Sequence, residues 1–173
     1  MTLHIIIDGY NLVHQSDSPG RLHPEDLQSG REALLESLAA YKRIKGHRIT
    51  VIFDGKNAPD LSPQRDRIKG IAIRFSRGGE SADTVIKRMA AKEREKALVV
   101  SSDRDVADYS AVRGAATISA SGFAEKMAIA AYADLTGATG EDDGGWIPTT
   151  KKKGPGRRRP KRERRNRSRI KKL

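Results

Sequence analysis

Four aspartates are distinguished by what precedes them. Asp8 closes the apolar run LHIII, Asp54 closes RITVIF, Asp103 follows ALVVSS, and Asp83 lies at the start of the helix-like segment SADTVIKRMA. Carboxylates gathered in one place repel each other unless a cation neutralises them, which raises their pKa values or draws in a metal. Hard oxygen donors of this kind suit Mg²⁺ or Mn²⁺, held by one to three carboxylates and otherwise by water. Such a site can polarise a phosphodiester, generate hydroxide and steady the leaving oxygen. Asn11, three residues after Asp8, has an amide that can orient that carboxylate, a water or a phosphate oxygen.

The elements that must carry these residues follow from the patterning. LHIII, RITVIF, IAIRFS (71–76), ALVVSS (97–102) and the weaker ATISA (116–120) read as five short strands. Between them lie helical segments at 24–46, 81–96, 103–114 and 121–135; in the first, Leu27, Leu34, Leu38 and Tyr41 recur at helical spacing and Gly46 ends it. Strands alternating with helices imply an α/β three-layer sandwich with a central, mostly parallel sheet. In such sheets ligands bind beyond the carboxyl ends of the strands. All four acids are expected at that edge.

Each residue also has an ordinary structural role open to it. Asp54-Gly55 is a common turn dipeptide, Asp83 can complement a helix dipole, and Ser102 with Asp105 fits the S-x-x-D capping box. Asn11 can be a simple loop cap. His4, His14, His23 and His47 show no ligand spacing, and only His14 falls near the acids. Neither a P-loop nor a G-x-G-x-x-G after a strand is present. SRGGES (76–81) can bring backbone N–H groups and Arg77 to a phosphate at a helix N-terminus, or be a flexible turn.

The charge is concentrated at one end. Residues 149–173 hold 14 of the 34 Lys and Arg and one acid, Glu163, whereas residues 1–148 carry 20 basic and 21 acidic groups. The formal net charge of +12 is therefore a property of the tail. Residues 1–136 are expected to form the domain, 137–150 a Gly-rich acidic linker, and 151–173 a basic tail, disordered when free. The tail cations, Lys151, Lys152, Lys153, Arg157, Arg158, Arg159, Lys161, Arg162, Arg164 and Arg165 among them, make a polyanion the expected partner. The tail has no aromatic residue, so base stacking is not its mode. The absence of cysteine excludes a disulfide framework and Cys-based zinc sites. With no signal-like segment and no apolar run of membrane-spanning length, the expectation is a soluble cytoplasmic protein without membrane attachment.

IIIDGYN at the end of the first strand, SADTVIKRMA opening a helix, and LVVSSDRDVADYS together resemble the NYN domains, relatives of the PIN-type and 5′-nuclease folds. GAATISASGFAEKM extends the resemblance to the YacP-like branch, over roughly residues 2–135. The resemblance implies a metal-dependent endoribonuclease, in a branch linked to mRNA cleavage on the ribosome. By position it makes Asp8, Asp83 and Asp103 the metal-binding acids and Asn11 the residue orienting substrate or water. Ser102 and Asp105 would complete the rim, and Asp54 matches a strand-two acid of less defined role. Two other readings are a non-catalytic RNA- or ribosome-binding protein whose acids are vestigial or structural, and a metal-dependent phosphatase or nucleotide hydrolase on the same sheet. The second is disfavoured because residue 10 is Tyr, so Asp8 lacks an acidic partner at +2.

Overall fold

The computed structural model describes residues 2–16, 24–55, 65–77, 79–137 and 160–173. Six strands form one sheet: β1 (His4–Asp8), β2 (Arg48–Phe53), β3 (Arg65–Ile68), β4 (Ile71–Phe75), β5 (Ala97–Val100) and β6 (Ala116–Ile118), in the order β3-β4-β2-β1-β5-β6. All neighbours are parallel except β3 and β4. Among the described residues six α-helices accompany them: α1 (Gly9–Ser16), α2 (Pro24–Lys45), α3 (Ala82–Glu93), α4 (Arg104–Val112), α5 (Ala120–Thr136) and α6 (Lys161–Ile170).

β1 shows why the sheet needs cover on both faces. Successive side chains of a strand point to opposite faces. Ile5 and Ile7 pack with Leu12 and Val13 of α1, Leu34, Leu38 and Tyr41 of α2, and Phe123 of α5. Ile6 packs instead with Val85, Ile86 and Met89 of α3 and Val106 of α4. This is the three-layer α/β sandwich expected from the sequence. The chain leaves β1 toward β2 on one side and reaches β5 on the other, so β1 sits at the switch point where open sheets form a crevice.

Two elements differ from expectation. β3 is a sixth strand, joined to β4 by Lys69 (φ 50°) and Gly70 (φ 80°), both left-handed as a two-residue hairpin turn requires. Its sequence, RDRI, holds one apolar residue and gives no alternation to read. The expected disorder of the tail does not hold for residues 160–173, where α6 forms and docks. Ile170 packs against the core and Leu173 is 3% exposed within it. The Tyr41 hydroxyl donates to the Leu173 carbonyl at 3.0 Å, and His47 Nε2 lies 3.1 Å from the Lys172 carbonyl. The Arg169 guanidinium donates to the Gly114 carbonyl at 2.7 Å, and Arg165 pairs with Glu95 at 2.6 Å. A net charge per residue this high disfavours a core, but two apolar side chains three apart suffice when a folded body offers the rest. The remainder of the linker and tail, including Lys151, Lys152, Lys153, Arg157, Arg158 and Arg159, lies outside the described residues.

Candidate active site

Asp8 passes directly from the end of β1 into α1. Its Oδ1 accepts the Asn11 N–H at 3.2 Å, the bond by which a cap carboxylate satisfies an orphan donor at a helix N-terminus. The turn works because residue 9 is glycine: a Cβ there would lie 2.3 Å from a ring carbon of Phe53. DGYN is thus neither loop nor turn but the junction of a buried strand and a helix. Asp54 follows β2 in the same way. Gly55 is fixed by an N–H bond to Ser76 Oγ at 2.9 Å, and its Cβ would meet the Ser76 carbonyl at 2.0 Å. This Asp-Gly pair serves a close approach between the ends of β2 and β4 rather than a turn.

Asp83 lies in the first turn of α3, whose N-cap is Ser81, accepting the Thr84 N–H at 3.3 Å. Asp103 is the N-cap of α4: its Oδ1 accepts the N–H groups of Asp105 (2.7 Å) and Val106 (3.1 Å). The capping box read from Ser102 and Asp105 is therefore displaced by one residue. Ser102 Oγ instead accepts the Ala120 N–H at 3.2 Å, at the start of α5, and Asp105 binds Lys87.

The acids act on one another electrostatically. Burial pushes Asp8 up from 3.8 to about 6; the Asn11 hydrogen bonds oppose the rise, and the charges of Asp83 and Asp103 add to it. Burial also raises Asp83, with repulsion from Asp103, Asp105 and Asp54 adding and Lys87 opposing. Asp8, Asp54, Asp83, Asp103 and Asp105 thus share one edge. Their chemistry suits a hard divalent ion. Among the described residues, however, no three acids or histidines converge closely enough to enclose one. Asp8 and Asp103 each engage one oxygen at a helix N-terminus, and Asp105 is held by Lys87. The donor set fits an ion held by few carboxylates and completed by water, as Mg²⁺ commonly is.

Residues 5–138 match the family model of the YacP-like NYN domain. This chain belongs to that family. NYN domains are PIN-like nuclease domains, a class that uses divalent metals. YacP of Bacillus subtilis strain 168 is 24% identical over 86 residues, an alignment covering half of this chain and half of that relative. The crystal structure of Rae1 (YacP) from Bacillus subtilis superposes with a TM-score of 0.61 at 21% identity, over 79% of each chain. A mutant of the same protein gives 0.61 and 21% over 77% of this chain and 79% of the other. At that identity the likeness is one of fold.

Two residues of this NYN domain carry no signal strong enough to single them out in the sequence. Arg31 of α2 is 7% exposed and donates to the Tyr10 hydroxyl at 2.7 Å and to Gln28 Oε1 at 2.5 Å. Burial raises the Tyr10 pKa, Arg31 opposes the rise, and Asp54 adds to it, so this pair borders the acidic edge. Position 31 falls on the stripe of Leu27, Leu34 and Leu38, and that spacing is the one hint of its burial. Lys87, four residues after Asp83, is the other such residue. Two histidines have structural partners: His4 Nε2 bonds Thr50 Oγ1 at 2.8 Å within the sheet, and His47 serves α6, while His14 is exposed in the last turn of α1.

The cations expected to bind RNA fall in different places. Arg77 is exposed just past β4, where its carbonyl accepts the Glu80 N–H at 2.9 Å. Lys161, Arg162, Arg164 and Arg165 are exposed on α6, with Arg165 engaged by Glu95. Lys161, Arg164 and Lys171 are exposed, and at 100° per residue Arg164 lies opposite the docked Asn166 and Arg169. No helix among the described residues is long and apolar enough to cross a membrane.

Proposed function

We propose that this NYN domain is a metal-dependent endoribonuclease acting on RNA, with mRNA as substrate and the ribosome as the setting. The observation that carries the reading is the coupling of Asp8 to Asp83 and Asp103 at the switch point of the sheet, with Asp8 held near pKa 6. Asp8, Asp83 and Asp103 would hold Mg²⁺ or Mn²⁺, which supplies a Lewis acid and an activated water at neutral pH. The chain's own residues do the rest. Asn11 fixes the Asp8 carboxylate through its N–H, and Asp103 is fixed by two N–H groups of α4. Asp54 with the Arg31-held Tyr10 forms the adjoining wall for substrate. The outward cations of α6 hold phosphates by charge, without reading sequence.

A non-catalytic RNA-binding protein is the second reading, favoured by the absence of three converging acids among the described residues. The test is incubation of purified protein with a structured mRNA, free and on translating ribosomes, with and without divalent metal, mapping new 5′ ends. Wild type should cleave with Mg²⁺ or Mn²⁺, and Asp83→Asn and Asp103→Asn should bind RNA without cleaving it. Equal cleavage by the variants, or none by wild type in either setting, overturns the nuclease reading.

A further inference from the structure

Lys87 stands among the acids with no role that the family resemblance assigns to it. It follows Asp83 by one helical turn, the spacing at which an acid and a base on one helix usually pair. It pairs elsewhere. Its ammonium crosses from α3 to α4 and donates to Asp105 Oδ2, 5.6 Å from the centre of the Tyr109 ring. It is half-buried there, with 22% of its side chain exposed, between the helices that carry Asp83 and Asp103. The ring of Tyr109 also carries the Arg113 guanidinium, 3.4 Å from its centre.

From this geometry we infer that Lys87 is the resident counter-cation of the acidic edge, a tethered ammonium that competes with the divalent ion and sets the concentration at which the site fills. The inference rests on the metal-site reading above. Two consequences of that contact carry it. The Lys87 ammonium bridges the two helices whose first turns bear Asp83 and Asp103, so its charge bears on both at once. Asp105, which would otherwise be a further oxygen donor at this rim, is engaged by Lys87, consistent with the lack of a converged triad among the described residues. A monovalent charge fixed near carboxylates lowers their affinity for a second cation by direct repulsion, and by occupying a donor.

The experiment is a Mn²⁺ titration of the full chain, read by electron paramagnetic resonance of free Mn²⁺, on wild type, Lys87→Met and Lys87→Arg. Lys87→Met should bind Mn²⁺ about five- to tenfold more tightly, and Lys87→Arg within twofold of wild type, with far-UV circular dichroism unchanged in both. Should Lys87→Met unfold, Lys87→Gln, which keeps a polar side chain but removes the charge, should bind Mn²⁺ more tightly by a similar factor, and binding equal to or weaker than wild type overturns the inference. Equal or weaker binding by Lys87→Met overturns the inference while leaving the metal site in place. No Mn²⁺ binding by any of the proteins overturns both. Tighter binding by Lys87→Met, with RNA left uncleaved by every protein, would uphold the counter-cation and sink only the nuclease reading.

Discussion

Tyr41 and Leu173 meet across 132 residues of chain: the phenol donates to the leucine carbonyl at 3.0 Å, and the leucine side chain is buried beside it. Segments so basic are ordinarily solvated, so this contact makes the end of α6 part of the body's core. Truncating a buried leucine costs about 2–5 kcal/mol, including the cavity left behind. Leu173→Ala should destabilise by an amount in that range in urea unfolding, and Tyr41→Phe by about 1 kcal/mol. A tail that merely trails in solvent would leave both midpoints unmoved.

Gly9 is held by sterics. A methyl group there would collide with Phe53, a ring that is 1% exposed and packed against both Tyr10 and Phe75. Gly9→Ala should therefore cost about 1–3 kcal/mol, as overpacking does. A thermal melt within a degree of wild type would contradict it.

The metal-free protein should carry a pH signature from Asp8. Its folded pKa, about 6, lies above its usual 3.8 because burial disfavours the charge. The folded state therefore holds a proton that the unfolded state has released between about pH 4 and pH 6. The contribution is fully present below pH 4 and is lost as pH rises through 6, by roughly 2–3 kcal/mol. Asp8→Asn should flatten that part of the stability profile. A parallel profile for the variant would show that Asp8 titrates normally.

Asp103 has a structural and a chemical use that substitutions can separate. Asparagine also caps helices well, whereas alanine leaves the α4 N–H groups unpaired. Asp103→Ala should lose about 1 kcal/mol and Asp103→Asn much less, while both lose cleavage. Intact cleavage by Asp103→Asn would leave Asp103 as a cap alone.

Replacing Lys161, Arg164 and Lys171 together by Gln should flatten the salt dependence of RNA binding. Each cation that neutralises a phosphate of a single strand adds about 0.7 to the slope of log K on log salt, so removing these three should lower it by about 2. The docked Arg165 and Arg169 are spared, so α6 should stay in place. An unchanged slope would move the RNA-binding face elsewhere.

What was legible in the sequence is what burial dictates. Four of the five expected strands are short runs dominated by apolar, largely β-branched residues, and the acids that follow three of them, Asp8, Asp54 and Asp103, are found at one edge because parallel strands end together. The capping of α4 was misplaced by one residue, since both Ser102 and Asp103 are good caps and only the backbone decides. β3 and α6 were missed because neither has the apolar period of its class: β3 borrows its pairing from β4, and α6 borrows its core from α2. Arg31 and Lys87 bond to residues 21 and 18 positions away, which no local pattern reports.

The Asn166 side chain does for β6 what a seventh strand would. Its Oδ1 accepts the Thr117 N–H at 2.9 Å and its Nδ2 donates to the Thr117 carbonyl at 3.2 Å. At the opposite margin, β3 exposes the side chains of Asp66 and Arg67. One border is plugged by an amide and the other guarded by charge, the two devices that keep sheets from templating aggregation. The basic helix α6 thus also protects the sheet from growing.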